Sequence, residues 1–292
     1  MKPPPFEYHA PDSLAEGLTL LQQLGEDAKV LAGGQSLIPL LSLRLARPAH
    51  LIDINALQEL SAVQPWDGGL RVGALVRQRG AERSDLIRQR CPLLAEALPL
   101  IGHPQIRNRG TVGGSLAHAD PASELPAVAM VLDAQLVVRN AERERSIAAS
   151  DFFVSFFTTS LQADELLTEV RLPAWPSGAG WSYLEVSRRH GDFAMVGVAA
   201  LLRLDARGAI AEARLAYTGA APAPVRAHRA ERQLVGQPAT EPVFAEAAEA
   251  AAEALDPQSD VHASAAYRRH VAKVLTRRGL ARAASRAEGG PA

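Results

Sequence analysis

The chain has 292 residues, of which 47% are hydrophobic and 22% charged, and its net charge is −1. This is the composition of an ordinary globular protein, and the near-neutral charge argues against a general affinity for nucleic acid or anionic membranes. No apolar run reaches the roughly 18 residues that a membrane span requires. Because the first residues also lack the apolar region of a signal peptide, a cytoplasmic protein is expected.

Cys91 is the only cysteine of the chain. A single thiol excludes an internal disulfide, a cysteine-ligated iron–sulfur cluster and a cysteine-based structural zinc site within this chain. Since Cys91 precedes Pro92 and a leucine-rich stretch, we expect a buried, inert thiol. Any redox chemistry of this protein therefore requires a bound organic cofactor.

The first part of the chain predicts short strands that alternate with helices. Residues 29–31 are predicted to form a strand that leads into the turn AGGQS, and Ser36 is predicted to cap a helix from Leu37. Further strands are predicted at residues 51–54 and 70–74, helices at 81–90 and 92–100, and an irregular stretch at 102–110. This pattern favours a mixed α+β fold over a regular doubly wound sheet.

The second glycine turn follows the irregular stretch and reads TVGGS. Adjacent glycines accept unusual backbone conformations and leave room for a close ligand, and the N–H groups of such turns bind anions. Two such turns that face each other are suited to the two phosphates of a dinucleotide. The backbone N–H groups of Gly33, Gly34, Gly113 and Gly114 are the predicted donors.

The proline- and glycine-rich stretch around Trp175 predicts a domain boundary. Beyond it, strands are predicted at residues 181–186, 194–204 and 210–217, and helices at 225–234, 241–255 and 264–284. Three strands followed by helices indicate a small α+β domain.

Several familiar motifs are missing. The chain has no P-loop and no Rossmann glycine fingerprint, and Leu37 stands where a nucleophile elbow requires glycine. His118 and Asp120 supply only two metal ligands, and the remaining histidines show no metal spacing. No metal site is therefore predicted.

Four segments, in order along the chain, resemble a known family. They are residues 31–39 (LAGGQSLIP), 106–124 (IRNRGTVGGSLAHADPASE), 187–194 (SRRHGDFA) and 264–278, which begins SAAYRRH and ends LTRR. The resemblance is to the medium, flavin-binding subunit of the molybdenum hydroxylases, the group of carbon monoxide dehydrogenase and xanthine dehydrogenase. Each segment alone is a weak signal, but four in order are specific.

The resemblance implies a vanillyl-alcohol-oxidase-like (PCMH-type) FAD-binding domain at residues 1–176, with subdomains at about 1–58 and 59–176. A CO-dehydrogenase-flavoprotein-like C-terminal domain is implied at 177–286, a three-stranded antiparallel sheet with helices, and a flexible tail at 287–292. Two loops are expected to wrap the FAD pyrophosphate. They comprise Ala32, Gly33, Gly34, Gln35, Ser36, Leu37, Thr111, Gly113, Gly114 and Ser115.

The resemblance places further contacts around the flavin. His118 is expected on a turn that passes it, and Ser123 and Glu124 near its ribityl and phosphate region. Ile101 and Leu167 are expected to give apolar contacts, and Asp192 and Phe193 to lie on a strand near the isoalloxazine ring. From the residues alone, these positions also fit core packing, a strand-end carboxylate or an acid at a helix N-terminus.

In this family, a large molybdopterin-binding subunit hydroxylates the substrate and a small subunit carries two iron–sulfur clusters. The resemblance implies that electrons pass from those clusters through FAD on this chain to an external acceptor, in a heterotrimer. No catalytic side chain is expected here. Two alternatives are a stand-alone FAD-dependent oxidoreductase of the same fold and a non-catalytic assembly subunit.

Overall fold

The computed structural model describes residues 2–290. The N-terminal elements are β1 (Glu7–His9), α1 (Leu14–Leu24), β2 (Ala28–Leu31), α2 (Leu37–Ser42) and β3 (His50–Asp53). The strands form a small parallel sheet in the order β1-β3-β2. Leu14 and Leu18 of α1 pack with Ile52 of β3 in a small core of their own, which is how a short amphipathic helix is stabilised.

A five-stranded antiparallel sheet, in the order β4-β5-β10-β6-β7, organises the next part of the chain. Its elements are β4 (Val63–Trp66), β5 (Gly69–Gly73), α3 (Gln78–Glu82), α4 (Asp85–Arg90), α5 (Pro92–Ala97), α6 (Pro104–Arg109), α7 (Val112–His118), α8 (Glu124–Val131), β6 (Gln135–Arg139), β7 (Glu144–Ala148), α9 (Ala149–Phe152), β8 (Phe153–Ser155), β9 (Thr158–Thr159) and β10 (Leu166–Leu172).

The stretch predicted to be irregular contains the helix α6. Pro104 occupies its first turn, where a missing N–H costs nothing because first-turn donors have no intrahelical partner. The helix predicted at 92–100 ends as a helix at Ala97 and continues as a single 3₁₀ turn, Leu98–Leu100. Cys91 is buried, as predicted, and burial raises the pKa of its thiol to about 12.

The C-terminal part contains a four-stranded antiparallel sheet in the order β11-β12-β13-β14, with helices on one face. Its elements are β11 (Ala179–Ser187), β12 (Ala194–Leu204), β13 (Ile210–Thr218), β14 (Val225–Arg226), α10 (His228–Leu234), α11 (Glu241–Glu253) and α12 (Ala265–Ala287).

The predicted three-stranded sheet is wrong by one strand. Val225 and Arg226 were expected to begin a helix, but they pair with Tyr217 and Ala216 as the short edge strand β14. The helix starts at His228 instead. A two-residue strand carries no period-2 pattern, and its register is set by the neighbouring strand.

Helix α8 lies between the two larger sheets. All eight of its residues are buried, and it packs against β12 and β13 of the C-terminal sheet. Leu125 and Val128 share one core with Leu136 of β6 and Leu201 of β12. A helix that is buried on every side belongs to the interior, so the main core is continuous across the expected domain boundary.

Polar contacts reinforce this junction. Glu96 of α5 accepts hydrogen bonds from Arg286 of α12 at 2.6 Å and from the backbone N–H of Tyr183 at 3.4 Å. The Arg286 guanidinium also lies 4.7 Å from the centre of the Trp181 ring. Arg214 of β13 donates to the carbonyl of Val131 at the end of α8.

The expected boundary at 176/177 falls in the connection between β10 and β11, and the expected subdivision at 58/59 falls between β3 and β4. Ala287, assigned to the expected tail, is the last residue of α12, and residues 291 and 292 lie outside the described part of the chain. None of the described helices combines the length and the apolar character that a bilayer crossing demands.

Candidate cofactor site

The two glycine-rich segments lie against each other. A Cβ added to Gly33 would lie 2.5 Å from the carbonyl oxygen of Arg109 and 2.8 Å from Gly110 Cα. A Cβ added to Gly114 would lie 3.8 Å from Ala32 Cβ. The prediction that the segments face each other is therefore confirmed, and their approach requires glycine at position 33.

The first segment, residues 32–36, is a half-buried turn between β2 and α2. Gly34 has φ +73°, a conformation that favours glycine. Among the described residues, the backbone N–H groups of this turn from Gly33 to Ser36 have no hydrogen-bond acceptor. Gln35 turns its side-chain amide back onto the carbonyl of Gly33 at 3.1 Å. The turn thus presents successive free donors at a half-buried position.

Ser36 occupies the predicted N-cap position of α2, but its hydroxyl makes no capping hydrogen bond. Its backbone is already in the αR region, with φ −104° and ψ −45°, whereas a capping residue is typically extended. Leu37 begins the helix and is half-buried.

The second segment is the N-terminus of helix α7, and neither of its glycines has a positive φ. Thr111 caps the helix by accepting a hydrogen bond of 3.0 Å from the N–H of Gly114. The N–H of Gly113 donates to the carbonyl of Ala74 at 2.9 Å. The expectation that both N–H groups are free phosphate donors is therefore wrong, because the protein itself satisfies them.

Gly113 is required for packing. A Cβ there would lie 2.6 Å from Ala74 Cα and 2.8 Å from its carbonyl oxygen, so the helix start is pressed against the backbone after β5. Ser115, one residue beyond the pair, is half-buried on α7.

A polar bridge that the sequence did not reveal connects the two segments. Asn55 donates from its side chain to the carbonyl of Ala32 at 2.8 Å. Arg77 donates to Asn55 Oδ1 and to the carbonyl of Arg109, each at 2.6 Å. Burial and the nearby Arg109 charge lower the pKa of Arg77, so this region holds two cations close enough to repel each other.

His118 ends α7, and its ring centre lies 5.1 Å from that of the exposed Phe157. Burial lowers the pKa of His118, which favours the neutral ring. The N–H of Phe157 donates to the carbonyl of Ala119, so the loop between β8 and β9 is fixed beside the end of α7.

Ser123 and Glu124 start helix α8 and are buried. The carbonyl of Ser123 accepts a hydrogen bond of 2.6 Å from Thr218 Oγ1 of β13. Burial, with a smaller contribution from Asp120, raises the pKa of Glu124 to about 7.

Two unpredicted polar residues, Tyr183 and Glu185 of β11, lie near Glu124. Burial and the neighbouring Glu124 raise the pKa of Glu185 to about 8. Tyr183 is fully buried beside Glu185, and neither its hydroxyl nor Glu185 Oε2 makes a hydrogen bond of good geometry among the described residues. Unpaired buried polar atoms are costly, so this cluster favours protonated carboxyl groups.

Ile101 and Leu167 belong to the main core, with 8% and 3% of their surface exposed. Arg107 fixes the backbone beside Ile101 by donating to the carbonyls of Ile101 and Gly102. Arg107 is itself paired with Glu82 at 2.9 Å. Packing explains both apolar residues, and their contact with a cofactor stays a prediction.

Asp192 and Phe193 lie in the loop before β12, which begins at Ala194, and so are not on a strand as expected. Gly191 has φ +87°, and a Cβ there would lie 2.6 Å from Nδ1 of His103. The loop therefore closes onto the segment before α6. Phe193 is 65% exposed.

The donor set suits FAD. A diphosphate is a dianion that accepts hydrogen bonds from consecutive backbone N–H groups, and nearby arginines compensate its charge. The free N–H groups of residues 33–36 and the neighbouring cations Arg77 and Arg109, with one carboxylate nearby at Asp53, supply both requirements.

The chain matches two family models in succession. Residues 4–175 match the FAD binding domain in molybdopterin dehydrogenase, and residues 181–283 match the CO dehydrogenase flavoprotein C-terminal domain. The chain belongs to the FAD-binding medium subunits of the molybdenum hydroxylases. The family resemblance seen in the four sequence segments is thereby confirmed.

Relatives match this medium subunit over nearly its whole length. It is 44% identical to the 6-hydroxypseudooxynicotine dehydrogenase complex subunit alpha of Paenarthrobacter nicotinovorans, covering 98% of this chain and 97% of that protein. It is 41% identical, at the same coverages, to the caffeine dehydrogenase subunit beta of Pseudomonas sp. strain CBB1. A chain of the carbon monoxide dehydrogenase from Hydrogenophaga pseudoflava, crystallised without the Mo-pyranopterin moiety, superposes with a TM-score of 0.95 at 40% identity, covering 98% of this chain and 99% of that one.

Proposed function

We propose that this medium subunit holds FAD between residues 32–36 and the start of α7, and receives electrons from an iron–sulfur partner subunit. A large molybdopterin-binding subunit completes the proposed heterotrimer. Membership of the family makes the chain an FAD-binding oxidoreductase subunit. The partners, the individual contacts and the cytoplasmic location are our proposals, and cell fractionation tests the last of these.

The observation that carries the proposal is the free donor row of residues 33–36 beside Arg77 and Arg109. Bound FAD supplies the exchange of electrons between one-electron carriers and an external acceptor. The protein contributes binding and orientation: backbone N–H groups hold the diphosphate, and the segment before α7 positions it from the other side. This division of labour agrees with the single cysteine, since the chain cannot ligate a cluster of its own.

Exposed apolar side chains on helix α6 and on nearby loops support docking of a partner. Ile106 and Phe156 are each 38% exposed, Phe157 58% and Phe193 65%. Apolar and aromatic groups of this kind are enriched at protein interfaces. We assign this surface to contact with the electron-donating subunit.

The domain boundary is also a proposal. We place it at 176/177, in the connection between β10 and β11, with the first domain subdivided at about 58/59. The gap between the two matched family segments, residues 4–175 and 181–283, supports that position.

The central test is flavin retention by the Gly114→Asp variant. The new carboxylate would clash with Thr111 Oγ1, 2.6 Å from the added Cβ, and would project toward Ala32 and the diphosphate. We expect the purified variant to lose its FAD absorbance while its circular dichroism is unchanged. The control is Gly80→Asp, because Gly80 has nothing within 4 Å of an added Cβ.

A Gly114→Asp protein that keeps one FAD per chain would contradict the assignment of the second segment. Two alternatives remain, a stand-alone oxidoreductase and an assembly subunit. They are tested by purifying the untagged wild-type chain alone and together with co-expressed partner subunits. Flavin reduction by an organic substrate in the isolated chain indicates a stand-alone oxidoreductase. A chain that stays colourless with added FAD, even in the complex, indicates an assembly subunit.

A further inference from the structure

A group of three metal-ligating side chains lies on the small N-terminal sheet, apart from the cofactor site. Strands β1 and β3 are parallel, and Glu7 pairs with His50 in their register. Because alternate residues of a strand share a face, Glu7, His9 and His50 project to the same side. His9 and His50 are distant in sequence, so analysis of ligand spacing along the chain gives no sign of the group.

The ligating atoms lie near the separations of a tetrahedral metal site, with the two imidazole nitrogens at hydrogen-bond distance. His9 Nε2 lies 3.1 Å from His50 Nδ1, which lies 3.4 Å from Glu7 Oε2. All three lie within 4.8 Å of one another. Zinc binds nitrogen and oxygen at about 2.0–2.2 Å in a tetrahedron, so neighbouring ligand atoms are about 3.3–3.5 Å apart.

The surroundings leave room for an ion and for water. The neighbour of His50 on β2 is Ala28, whose small side chain adds no competing group. The side chain of Glu7 is 75% exposed and that of His50 20% exposed, so the site is open on the side of the carboxylate. An open fourth position beside three protein ligands is the usual arrangement of an accessible zinc site.

We propose that Glu7, His9 and His50 bind a Zn²⁺ ion through two imidazole nitrogens and one carboxylate oxygen, with water as the fourth ligand. Imidazole and carboxylate ligands suit Zn²⁺ among the borderline divalent ions, whereas the absence of a thiolate disfavours softer ones. The ion would connect β1, an edge strand, to the central strand β3. The site is independent of FAD and of the electron path.

The test is titration of the untagged, flavin-loaded, metal-free full chain with ZnCl₂ by isothermal calorimetry. We expect one equivalent of Zn²⁺ to bind without displacing FAD, and Co²⁺ to give the intense visible absorption of a tetrahedral site. His9→Ala and His50→Ala should each weaken binding by about 100-fold or more, since even a partner of a ligand is worth 10–100-fold. Glu7→Gln should weaken it less.

The control is His262→Ala, because His262 is exposed and lies outside the cluster. It should bind Zn²⁺ as the parent does. If His50→Ala fails to fold, the Zn²⁺ affinity of His9→Ala, on the edge strand, and the Co²⁺ spectrum of the parent still test whether these residues bind the metal. Equal Zn²⁺ affinity in the parent and His9→Ala, or an octahedral Co²⁺ spectrum in the parent, would overturn the proposal.

Discussion

Arg77 donates a hydrogen bond of 2.6 Å from its Nη2 to Asn55 Oδ1. Asn55 in turn holds the carbonyl of Ala32, and Arg77 holds that of Arg109. The pair therefore links the backbone of the first glycine segment to the residue before the second. The relative position of the two segments therefore depends on this link.

Removing the Arg77 side chain should loosen the contact between the two segments without unfolding the protein. We expect Arg77→Ala to lower FAD affinity and to reduce the free energy of unfolding by about 1.5–3 kcal/mol, the range for a lost hydrogen bond to a charged group. Fluorescence of released flavin and thermal melting measure the two effects. Arg83→Ala is the control, since Arg83 is exposed on the same stretch of chain; equal flavin release from both variants would contradict the role of Arg77.

Adding one methyl group at Gly33 should separate the two segments. Its Cβ would lie 2.5 Å from the Arg109 carbonyl, and backbone atoms cannot move aside as a flexible side chain does. We expect Gly33→Ala to be purified with much less FAD than the wild type, as measured by the ratio of flavin to protein absorbance. Gly80→Ala has open space at the added Cβ and should retain full flavin.

The buried carboxyl groups predict that stability falls as pH rises. Burial raises the pKa of Glu124 to about 7 and that of Glu185 to about 8, from 4.5 when exposed. Between pH 4.5 and 8 the folded state thus binds more protons than the unfolded state, so this contribution to stability is full below pH 4.5 and is lost as pH rises toward 8. Because one unit of pKa shift corresponds to about 1.4 kcal/mol, the loss across that range is expected to be on the order of several kcal/mol.

Glu124→Gln should keep the packing and reduce this pH dependence, while the part due to the burial of Glu185 remains. Melting temperatures of both proteins at pH 5.5 and pH 8 measure the pH dependence of stability. At pH 8 the variant should have a higher melting temperature than the wild type. Glu246→Gln, at an exposed position of α11, should follow the wild-type profile. Greater stability of the wild-type chain at pH 8 than at pH 5.5 would contradict this prediction.

The junction between α5 and α12 should depend on Glu96. Its carboxylate pairs with Arg286, whose side chain is only 4% exposed, and breaking a buried pair leaves an uncompensated charge. We expect Glu96→Ala to cost about 3–5 kcal/mol, seen as a lower melting temperature and faster proteolysis. The exposed pair Arg229–Glu253 provides the control, because Glu253→Ala should cost less than about 1 kcal/mol.

Sequence motifs predicted the family, the α+β class and the contact between the glycine segments. The glycine pairs were informative because they indicate a close approach of other backbone. Gly33 and Gly113 both lie against backbone atoms that would clash with a Cβ. The donor assignment at Gly113 and Gly114 failed, because a sequence does not show that Ala74 and Thr111 already accept those N–H groups.

Sequence patterns did not reveal the residues that reach the site only through tertiary contacts. Asn55 and Arg77 have no motif, and their role arises from where β3 and α3 place them. The edge strand at Val225–Arg226 is too short for periodicity to reveal. Glu185 was not singled out, since an acidic residue in a strand ordinarily faces solvent.

Helix α8 has no solvent-facing side, since the C-terminal sheet and the helices α5, α7 and α9 pack around it. A chain cut at the junction of the two family segments would lose the C-terminal sheet that packs against α8. Leu125, Val128 and their neighbours would then be exposed to solvent. We therefore expect an N-terminal fragment ending near residue 175 to aggregate when produced alone. The C-terminal sheet thus completes the burial of a helix that belongs to the FAD-binding domain.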